Sequence, residues 1–249
     1  MSIMYVHKFG EYEFPYHHLP WADRDGAMAF GRLWFVGYEY LLYLHEVVNT
    51  ILALSPQKVL DFGCGDGRLS YELAKRGIPD IVGIDISERA IAFAKAFNWE
   101  NQARFYCIDI RQLDEEGFDV VVAIEVLEHI SDEQIDGVLA AIRQRLRQRG
   151  YFIVTVPTTV FPLIPKKHYR HYDYNLLQRQ VSNYFDIASI KYIFKVGWME
   201  RLLRRLVMNR FFIANSKPWI KLISKLYRRY ITLATEKDGG HMLVVMRPR

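Results

Sequence analysis

The sequence predicts a doubly wound α/β fold, in which a mostly parallel sheet carries helices on both faces. From residue 57 to 157, short apolar runs alternate with amphipathic stretches, which is the pattern of repeated βαβ units. The first apolar run ends in a glycine-rich turn, KVLDFGCGDGRLS (58–70), as is typical of the first strand of such a sheet. With 249 residues, 51% of them hydrophobic, the chain can bury one sizeable core.

Seven strands and the helices between them follow from this pattern. The strands are predicted at 58–62, 80–85, 103–109, 118–124, 150–157, 185–194 and 241–248. The helices are predicted at 68–76, 88–97, 132–149 and 175–184, with Ser87 and Ser131 as N-caps of the second and third. A further helix is expected from about residue 28 to 54. The last strand is expected to be antiparallel, because it closes the sheet through a hairpin.

The chain is predicted to form one main domain, residues 56–249, behind an N-terminal segment. That segment, residues 1–55, contains the aromatic stretch YEFPYHHLPW (12–21) and the predicted first helix, and could act as a lid or pack on the sheet. Within the main domain, residues 191–229 contain eleven basic residues and one acidic residue, although the whole chain carries only +5. Apolar residues recur there with helical spacing, so a helical basic insert is expected at about 197–237, before the final strand.

The basic insert has three alternative interpretations. A basic amphipathic helix with Trp219 at its edge suits an anionic membrane surface. The same composition suits the phosphate backbone of RNA, and it also suits a helical cap whose lysines are simply solvated. We favour the membrane over nucleic acid, because the apolar residues are numerous and aliphatic rather than confined to stacking aromatics.

The expected location is cytoplasmic, with membrane association through the insert. The N-terminal residues contain no apolar core of signal-peptide length, and no window approaches eighteen uninterrupted apolar residues. Cys64 and Cys107 lie far apart and form no CxxC pair, so neither a disulfide framework nor a zinc knuckle is expected. The oligomeric state does not follow from the sequence.

The glycine turn indicates which kind of ligand it holds. Its spacing is Gly63-x-Gly65-x-Gly67, whereas the dinucleotide fingerprint is G-x-G-x-x-G and would need a glycine at Arg68. Asp61 precedes the turn, where its carboxylate would repel a pyrophosphate and attract an ammonium group. The turn therefore favours the cationic amino-acid end of a ligand.

Two further acidic residues end the neighbouring strands. Asp85 ends the second strand, where a carboxylate can accept two hydrogen bonds from a ribose diol. Asp109 ends the third strand and is placed to accept a hydrogen bond from an adenine amino group. An amine, a diol and an adenine together describe S-adenosylmethionine.

With these residues the chain resembles the class I S-adenosylmethionine-dependent methyltransferases across about residues 57–157. The resemblance rests on DFGCGDG (61–67), ID (84–85), Asp109 and FDVVVAIEVLEH (118–129) in this order. It implies a Rossmann-like, seven-stranded methyltransferase sheet and S-adenosylmethionine as cofactor. The cofactor-binding residues that it implies are Asp61, Gly63, Cys64, Gly65, Asp85, Ile86, Asp109, Ile110 and Glu125.

Three histidines are candidate catalytic residues. Methyl transfer from a sulfonium mainly needs alignment, but a hydroxyl acceptor also benefits from a base that removes its proton. His129 follows the fourth strand, and His168 and His171 lie in the proline-flanked loop after the fifth. An alternative role for His129 is to orient the loop over the cofactor.

Part of the same segment also matches a metal-binding pattern. Glu125, Glu128 and His129, with a later histidine, resemble the ligands of the small-RNA 2′-O-methyltransferases. The ExxEH motif is also common among relatives that use no metal, so no metal site is predicted. The predicted function is O-methylation of a small or amphiphilic, lipid-linked acceptor, because EVLE replaces the NPPY or DPPY of N-methyltransferases. Alternatives are an RNA methyltransferase and a non-catalytic partner protein that binds S-adenosylmethionine.

Overall fold

The structure, a computed structural model, describes residues 31–207, 209 and 216–249. The predicted aromatic lid at 12–21 lies outside the described residues. Seven helices are described: α1 (Gly31–Leu52), α2 (Arg68–Ala74), α3 (Glu88–Phe97), α4 (Asp132–Arg145), α5 (Tyr174–Val181), α6 (Trp198–Val207) and α7 (Lys217–Tyr230). Eight strands are described: β1 (Lys58–Phe62), β2 (Asp80–Asp85), β3 (Arg104–Cys107), β4 (Phe118–Ile124), β5 (Leu146–Pro157), β6 (Phe185–Lys195), β7 (Leu233–Ala234) and β8 (Gly239–Pro248).

The strands form one sheet in the order β3-β2-β1-β4-β5-β8-β6-β7. Strands β1 to β5 pair in parallel, and β8 runs antiparallel between β5 and β6. The strand order reverses between β1 and β4, and such a switch point opens a crevice at the carboxyl ends of the strands. The predicted fold class is confirmed.

Several element limits differ from the prediction by a few residues, including those of α2, α5, β3 and β5, and three differences have a clear cause. The sheet has eight described strands instead of seven, because Leu233–Ala234 pairs with β6 and is too short to show an alternating pattern. Helix α4 ends at Arg145 rather than 149, since Leu146 already pairs with Phe118 of β4. Ser131 occupies the N-cap position of α4 but makes no capping hydrogen bond through its side chain.

The core has a layer on each face of the sheet. Val59 and Leu60 are adjacent in β1 and point to opposite layers, as strand alternation requires. The layer with Leu60 packs under α4 and α5, and the layer with Val59 packs under α1 and α2. Both residues are fully buried, so the central strands are covered on both sides.

The basic insert forms a helical hairpin with a small core of its own. Leu203 and Val207 of α6 pack against Ile223 and Tyr227 of α7, and this cluster adjoins Phe194 near the end of β6. The predicted helical insert is thus present, as two helices that pack onto the domain. In the described part of the chain, no helix is both long enough and apolar enough to cross a bilayer.

We expect opposite stability effects when two glycines are replaced by alanine. A Cβ on Gly83 would lie 2.6 Å from the ring of Phe105 and 3.1 Å from Cys64 Sγ, so Gly83→Ala should lower the free energy of unfolding. Overpacking of this kind costs about 1–3 kcal/mol. Gly137 lies in α4 with no atom within 4 Å of the added Cβ, so Gly137→Ala should stabilise by about 0.5–1 kcal/mol. Urea unfolding measures both, and equal effects would contradict the packing argument.

Candidate cofactor and acceptor site

The glycine turn between β1 and α2 takes a conformation that favours glycine at three positions. Gly63, Gly65 and Gly67 have φ values of 70°, 54° and 73°, in the left-handed region. A Cβ on Gly63 would also lie 2.5 Å from a methyl carbon of Val126. The turn therefore packs directly against the segment that follows β4.

The N–H groups of this turn are already used within the protein. Gly63 and Cys64 both donate to the carbonyl oxygen of Ile84, at 2.8 and 3.0 Å. Gly65 donates to the carboxylate of Asp85 at 3.1 Å. Nucleotide-binding turns hold phosphate through such N–H groups, and here these three are engaged elsewhere. This agrees with the prediction that the ligand is not a dinucleotide.

Asp61 lies beneath the turn and is only 3% exposed. Its carboxylate accepts a hydrogen bond from Ser70 Oγ at 2.7 Å. Burial raises the pKa of Asp61 to about 7, so the group carries little charge below neutral pH. A ligand ammonium nearby would stabilise the carboxylate form.

Asp85 ends β2 as predicted, whereas Asp109 lies two residues beyond the end of β3 at Cys107, because the chain turns there into a short 3-10 helix that Asp109 caps. Asp85 is partly exposed and accepts from the N–H groups of Gly65 and Ser87, at 3.1 and 2.8 Å. The side chain of Ile86 beside it is 78% exposed. Asp109 accepts from Arg111 Nε and Nη2 at 2.8 and 2.7 Å, which lowers the pKa of Asp109. This ion pair is exposed, and exposed pairs are weak, so a ligand can compete for the carboxylate.

Besides Asp61, two of the predicted cofactor residues have buried side chains, and neither of them is charged. Ile110 is 0% exposed and belongs to the core, and Cys64 is 7% exposed. A contact with the cofactor at either position would therefore use the backbone. The sequence could not show this, because both residues border exposed or partly exposed positions.

Glu125 follows β4 with a left-handed backbone, at a φ of 53°. Its Oε2 lies 3.1 Å from Nδ1 of His241, and its N–H donates to Thr155. Burial raises the pKa of Glu125, but the interaction with His241 outweighs it and holds that pKa below its usual range. A strained non-glycine residue that is fixed by several contacts is frequent at functional sites.

The three predicted catalytic histidines come together beside Glu125. The rings of His129 and His168 meet edge to face with centroids 4.6 Å apart. Nδ1 of His168 lies 3.3 Å from Nε2 of His171, which is buried. Burial and the neighbouring imidazoles lower the pKa of His168 to about 4, so this ring is neutral at neutral pH.

A cavity of about 540 Å³ opens next to this cluster at the carboxyl edge of the sheet. Its wall is mostly apolar, with a few polar groups that converge from different elements. The lining residues include Tyr40, Tyr43, Phe161, Leu163, Glu125, His168, His171 and His241. This composition suits an acceptor with an apolar body and a polar reacting group.

Several residues of this site were not found from the sequence. Tyr40 and Tyr43 lie on α1, and His241 lies in β8, far along the chain from the recognised motifs. Their sequence context indicated a helix and a strand, and nothing in it showed that these elements end at the cavity. Glu128 was found as part of the ExxEH motif, but its complete burial is visible only in the structure.

Comparison with known proteins supports the sequence interpretation. The family described as "Methyltransferase domain" matches residues 59–150, which span β1 to the first part of β5. These residues form a class I S-adenosylmethionine-dependent methyltransferase domain. The predictions of this family and of S-adenosylmethionine as its cofactor are confirmed.

Known methyltransferases are similar to this chain in sequence or in fold. A ubiquinone biosynthesis O-methyltransferase of Idiomarina loihiensis is 35% identical over 109 residues, covering 42% of this chain and 44% of the relative. Another of that name, from Coxiella burnetii, is 40% identical over 93 residues, covering 36% and 39%. The chain thus matches less than half the length of these curated relatives. The structure of magnesium protoporphyrin IX methyltransferase from Synechocystis has a TM-score of 0.58 and 19% identity, with 90% of each chain covered, which shows the shared fold.

Asp61 in this methyltransferase domain should make stability depend on pH. Its pKa is about 7 in the folded protein against an ordinary 3.8, so the unfolded chain loses this proton first as pH rises. Stability should therefore fall between about pH 4 and 7, by at most about 1.4 kcal/mol per pH unit. Asp61→Asn should remove this dependence, whereas Asp114→Asn, at an exposed position, should retain it.

The measurement is urea unfolding of the three proteins without ligand at several pH values. The quantity to compare at each pH is the difference in the free energy of unfolding between wild type and each variant. Other groups titrate in all three proteins, so their effect cancels in this difference. A difference for Asp61→Asn that stays constant from pH 4 to 7 would contradict the raised pKa.

Proposed function

We propose that the protein is an S-adenosylmethionine-dependent methyltransferase that methylates an oxygen atom of an amphiphilic acceptor. The proposal rests mainly on the position of Glu125, which lies between the predicted cofactor residues and the cavity. The acidic strand ends and the glycine turn lie on one side, and the mostly apolar cavity of about 540 Å³ lies on the other. The names of the matched relatives, ubiquinone biosynthesis O-methyltransferases, support oxygen as the target and a lipid-linked acceptor.

Different residues of the chain would bind different parts of the cofactor. Asp61 would face the ammonium group, Asp85 the ribose diol, and Asp109 with Ile86 the adenine. When bound, the cofactor supplies a methyl group on a positively charged sulfur. His168 lines the cavity and hydrogen-bonds through Nδ1, which leaves Nε2 to interact with an acceptor hydroxyl.

The α6–α7 hairpin supports contact with an anionic membrane. Trp198, Leu202 and Leu206 follow one another at four-residue spacing on α6 and are 69%, 45% and 37% exposed. Trp219 of α7 donates its indole N–H to the carbonyl oxygen of Leu206 at 3.0 Å, so the exposed residues of the two helices adjoin. The exposed cations of the hairpin are Arg201, Arg204, Arg205, Lys221, Lys225, Arg228 and Arg229. Exposed tryptophan and leucine bordered by cations are the features that bind helices to anionic lipid.

The same hairpin lies beside the cavity. Phe161 lines the cavity and also packs against the core of the hairpin. An amphiphilic acceptor could therefore reach the cavity while its apolar part stays near the lipid. Cys64 and Cys107 are free thiols, as expected on the reducing, cytoplasmic side of a membrane.

Calorimetric titration with S-adenosylhomocysteine tests the cofactor assignment. Wild type should bind it saturably and should give no heat with NAD. Asp85→Asn keeps one acceptor oxygen but loses the charge, and should bind at least about tenfold more weakly, because a charge-assisted hydrogen bond contributes about 1.5–3 kcal/mol. Asp114→Asn is the control and should bind like wild type. Binding of NAD without binding of S-adenosylhomocysteine would overturn the proposal.

Product analysis by mass spectrometry tests the reaction itself. Phenolic acceptors with and without an isoprenoid tail should be compared, and the tailed compounds should gain a methyl group on oxygen. Cofactor binding without turnover of any acceptor offered, including RNA, would favour a non-catalytic partner protein.

Vesicle sedimentation tests the membrane contact. The protein should bind phosphatidylglycerol vesicles, bind phosphatidylcholine vesicles much less, and dissociate as salt is raised. Each basic residue near an anionic surface contributes about 1 kcal/mol, so Lys221→Glu with Lys225→Glu should weaken binding at least tenfold. Lys95→Glu, on the exposed face of α3, is the matched control. Equal binding by both variants, or salt-sensitive binding to RNA but not to vesicles, would refute the membrane assignment.

A further inference from the structure

His241 is an ionisable residue in a buried and otherwise apolar stretch of β8. Residues 239–246, GGHMLVVM, are all buried, and His241 is the only ionisable residue among them. Its backbone pairs with Pro157 of β5 and with Ile193 of β6, so the sheet fixes its position on both sides. Burying an ionisable ring is costly unless the ring interacts with another polar group. A histidine at this place therefore calls for an explanation.

A carboxylate and three aromatic rings contact the side chain of His241. Its Nδ1 lies 3.1 Å from Oε2 of Glu125. The ring centroids of Tyr43, Phe161 and Phe194 lie 5.2, 5.5 and 6.4 Å from its own. These rings come from α1, from the loop after β5 and from β6, and their apolar surroundings strengthen the interaction with the carboxylate. A carboxylate that contacts one ring nitrogen orients a histidine so that the other nitrogen can take a proton from a substrate.

The Glu125–His241 pair adjoins both the cavity and the predicted cofactor turn. Both residues line the cavity of about 540 Å³. Since Nδ1 of His241 meets Glu125, an acceptor in the cavity would meet Nε2. The next residue after Glu125 is Val126, which lies against Gly63 of the glycine turn. The pair is therefore placed where an acceptor hydroxyl would approach the cofactor.

Among the three described histidines that line the cavity, His241 is the best suited to hold a proton. Both nitrogens of His171 are used, because Nδ1 lies 3.0 Å from the carbonyl oxygen of Phe161 and Nε2 lies 3.3 Å from Nδ1 of His168. The pKa of His168 is lowered to about 4, so this ring can accept a hydrogen bond but is a weak base. The interaction with His241 lowers the pKa of Glu125, and a charged carboxylate stabilises a protonated ring beside it.

We propose that His241, oriented by Glu125, is the base that removes the proton of the acceptor hydroxyl. The acceptor oxygen bonds to the methyl carbon, the carbon–sulfur bond breaks with its electron pair left on sulfur, and the hydroxyl proton moves to Nε2 of His241. The imidazolium formed in this way is paired with the carboxylate of Glu125, and it returns the proton to water after the product has left. This role rests on the proposed function, which supplies the hydroxyl acceptor.

The absorption spectrum of bound 4-nitrophenol tests this role without methyl transfer. The compound absorbs at longer wavelength once it is ionised, so at a pH where the free compound is mostly protonated the band of the ionised form reports proton transfer to the protein. Wild type loaded with S-adenosylhomocysteine should bind 4-nitrophenol in the ionised form. His241→Gln has a polar side chain that takes up no proton, and should lose this band. His45→Gln, at an exposed position on α1, is the matched control and should keep it.

Two further variants complete this experiment. Glu125→Gln keeps the size of the side chain and removes its charge, so it should reduce the band of the ionised form. His168→Gln removes the competing histidine of the cavity. Circular dichroism and binding of S-adenosylhomocysteine should show that each variant is folded. The proposal would be overturned by wild type without the band, by an equal band in His241→Gln, or by a loss of the band confined to His168→Gln.

Methylation rates for two phenols of similar size distinguish a base from a structural residue. General base catalysis contributes about 10²–10⁴-fold, so His241→Gln should lower kcat for 4-methylphenol at least about 100-fold. For 4-nitrophenol at a pH where it is ionised, the loss should be less than about tenfold, because no proton remains to be removed. A residue that only held the site together would lower both rates alike. An equal loss for the two phenols would therefore refute the role of His241 as a base.

The two experiments separate this role from the proposed function. Methylation of 4-methylphenol by His241→Gln at the rate of wild type would refute the assignment of the base and leave O-methylation in place. If wild type methylated no acceptor but ionised 4-nitrophenol through His241, O-methylation would be refuted and His241 would remain the proton acceptor of the cavity.

Discussion

The parallel pairing of β1 with β2 and β4 is the constraint on which the site depends. It aligns Asp61 with Gly83 on one side and with Val122 on the other, so the strand ends lie along one edge. The pairing continues into the glycine turn, because Ile84 accepts hydrogen bonds from the first two N–H groups beyond β1. A shift of this register would separate the acidic residues and would also expose apolar side chains that are buried on both faces of the sheet.

The acceptor side of the site is assembled from loops, and a few polar contacts fix it. Arg170 is 8% exposed and bonds both to backbone carbonyls of the turn after β4 and to Asp132 at the start of α4. It therefore connects the loop that carries His168 and His171 to the turn that carries Glu128 and His129. Buried arginine contacts of this kind hold side chains in one arrangement, as the convergence of the histidines requires.

Some apolar residues of the helical hairpin are buried and others are exposed. Leu203, Ile223 and Tyr227 are buried between the helices and the end of β6, which gives the insert a fixed position. Trp198, Leu202 and Leu222 remain 69%, 45% and 48% exposed. Exposed cations of both helices, such as Arg201 and Lys221, border these exposed apolar side chains.

Local sequence patterns were sufficient to predict much of the fold of this protein. The sequence determined the limits of β1, β2, α3 and β4, because alternation, helical spacing and the Ser87 cap act over a few residues; Ser87 Oγ does accept the N–H of Ala90. It also determined that Asp61, Asp85 and Asp109 would share an edge, since parallel strands end together. Only the tertiary structure decided the pairing of Glu125 with His241, the burial of Glu128 and the contacts among His129, His168 and His171. Those features arise from contacts between segments distant in sequence, whose meeting depends on how the whole sheet and its loops pack.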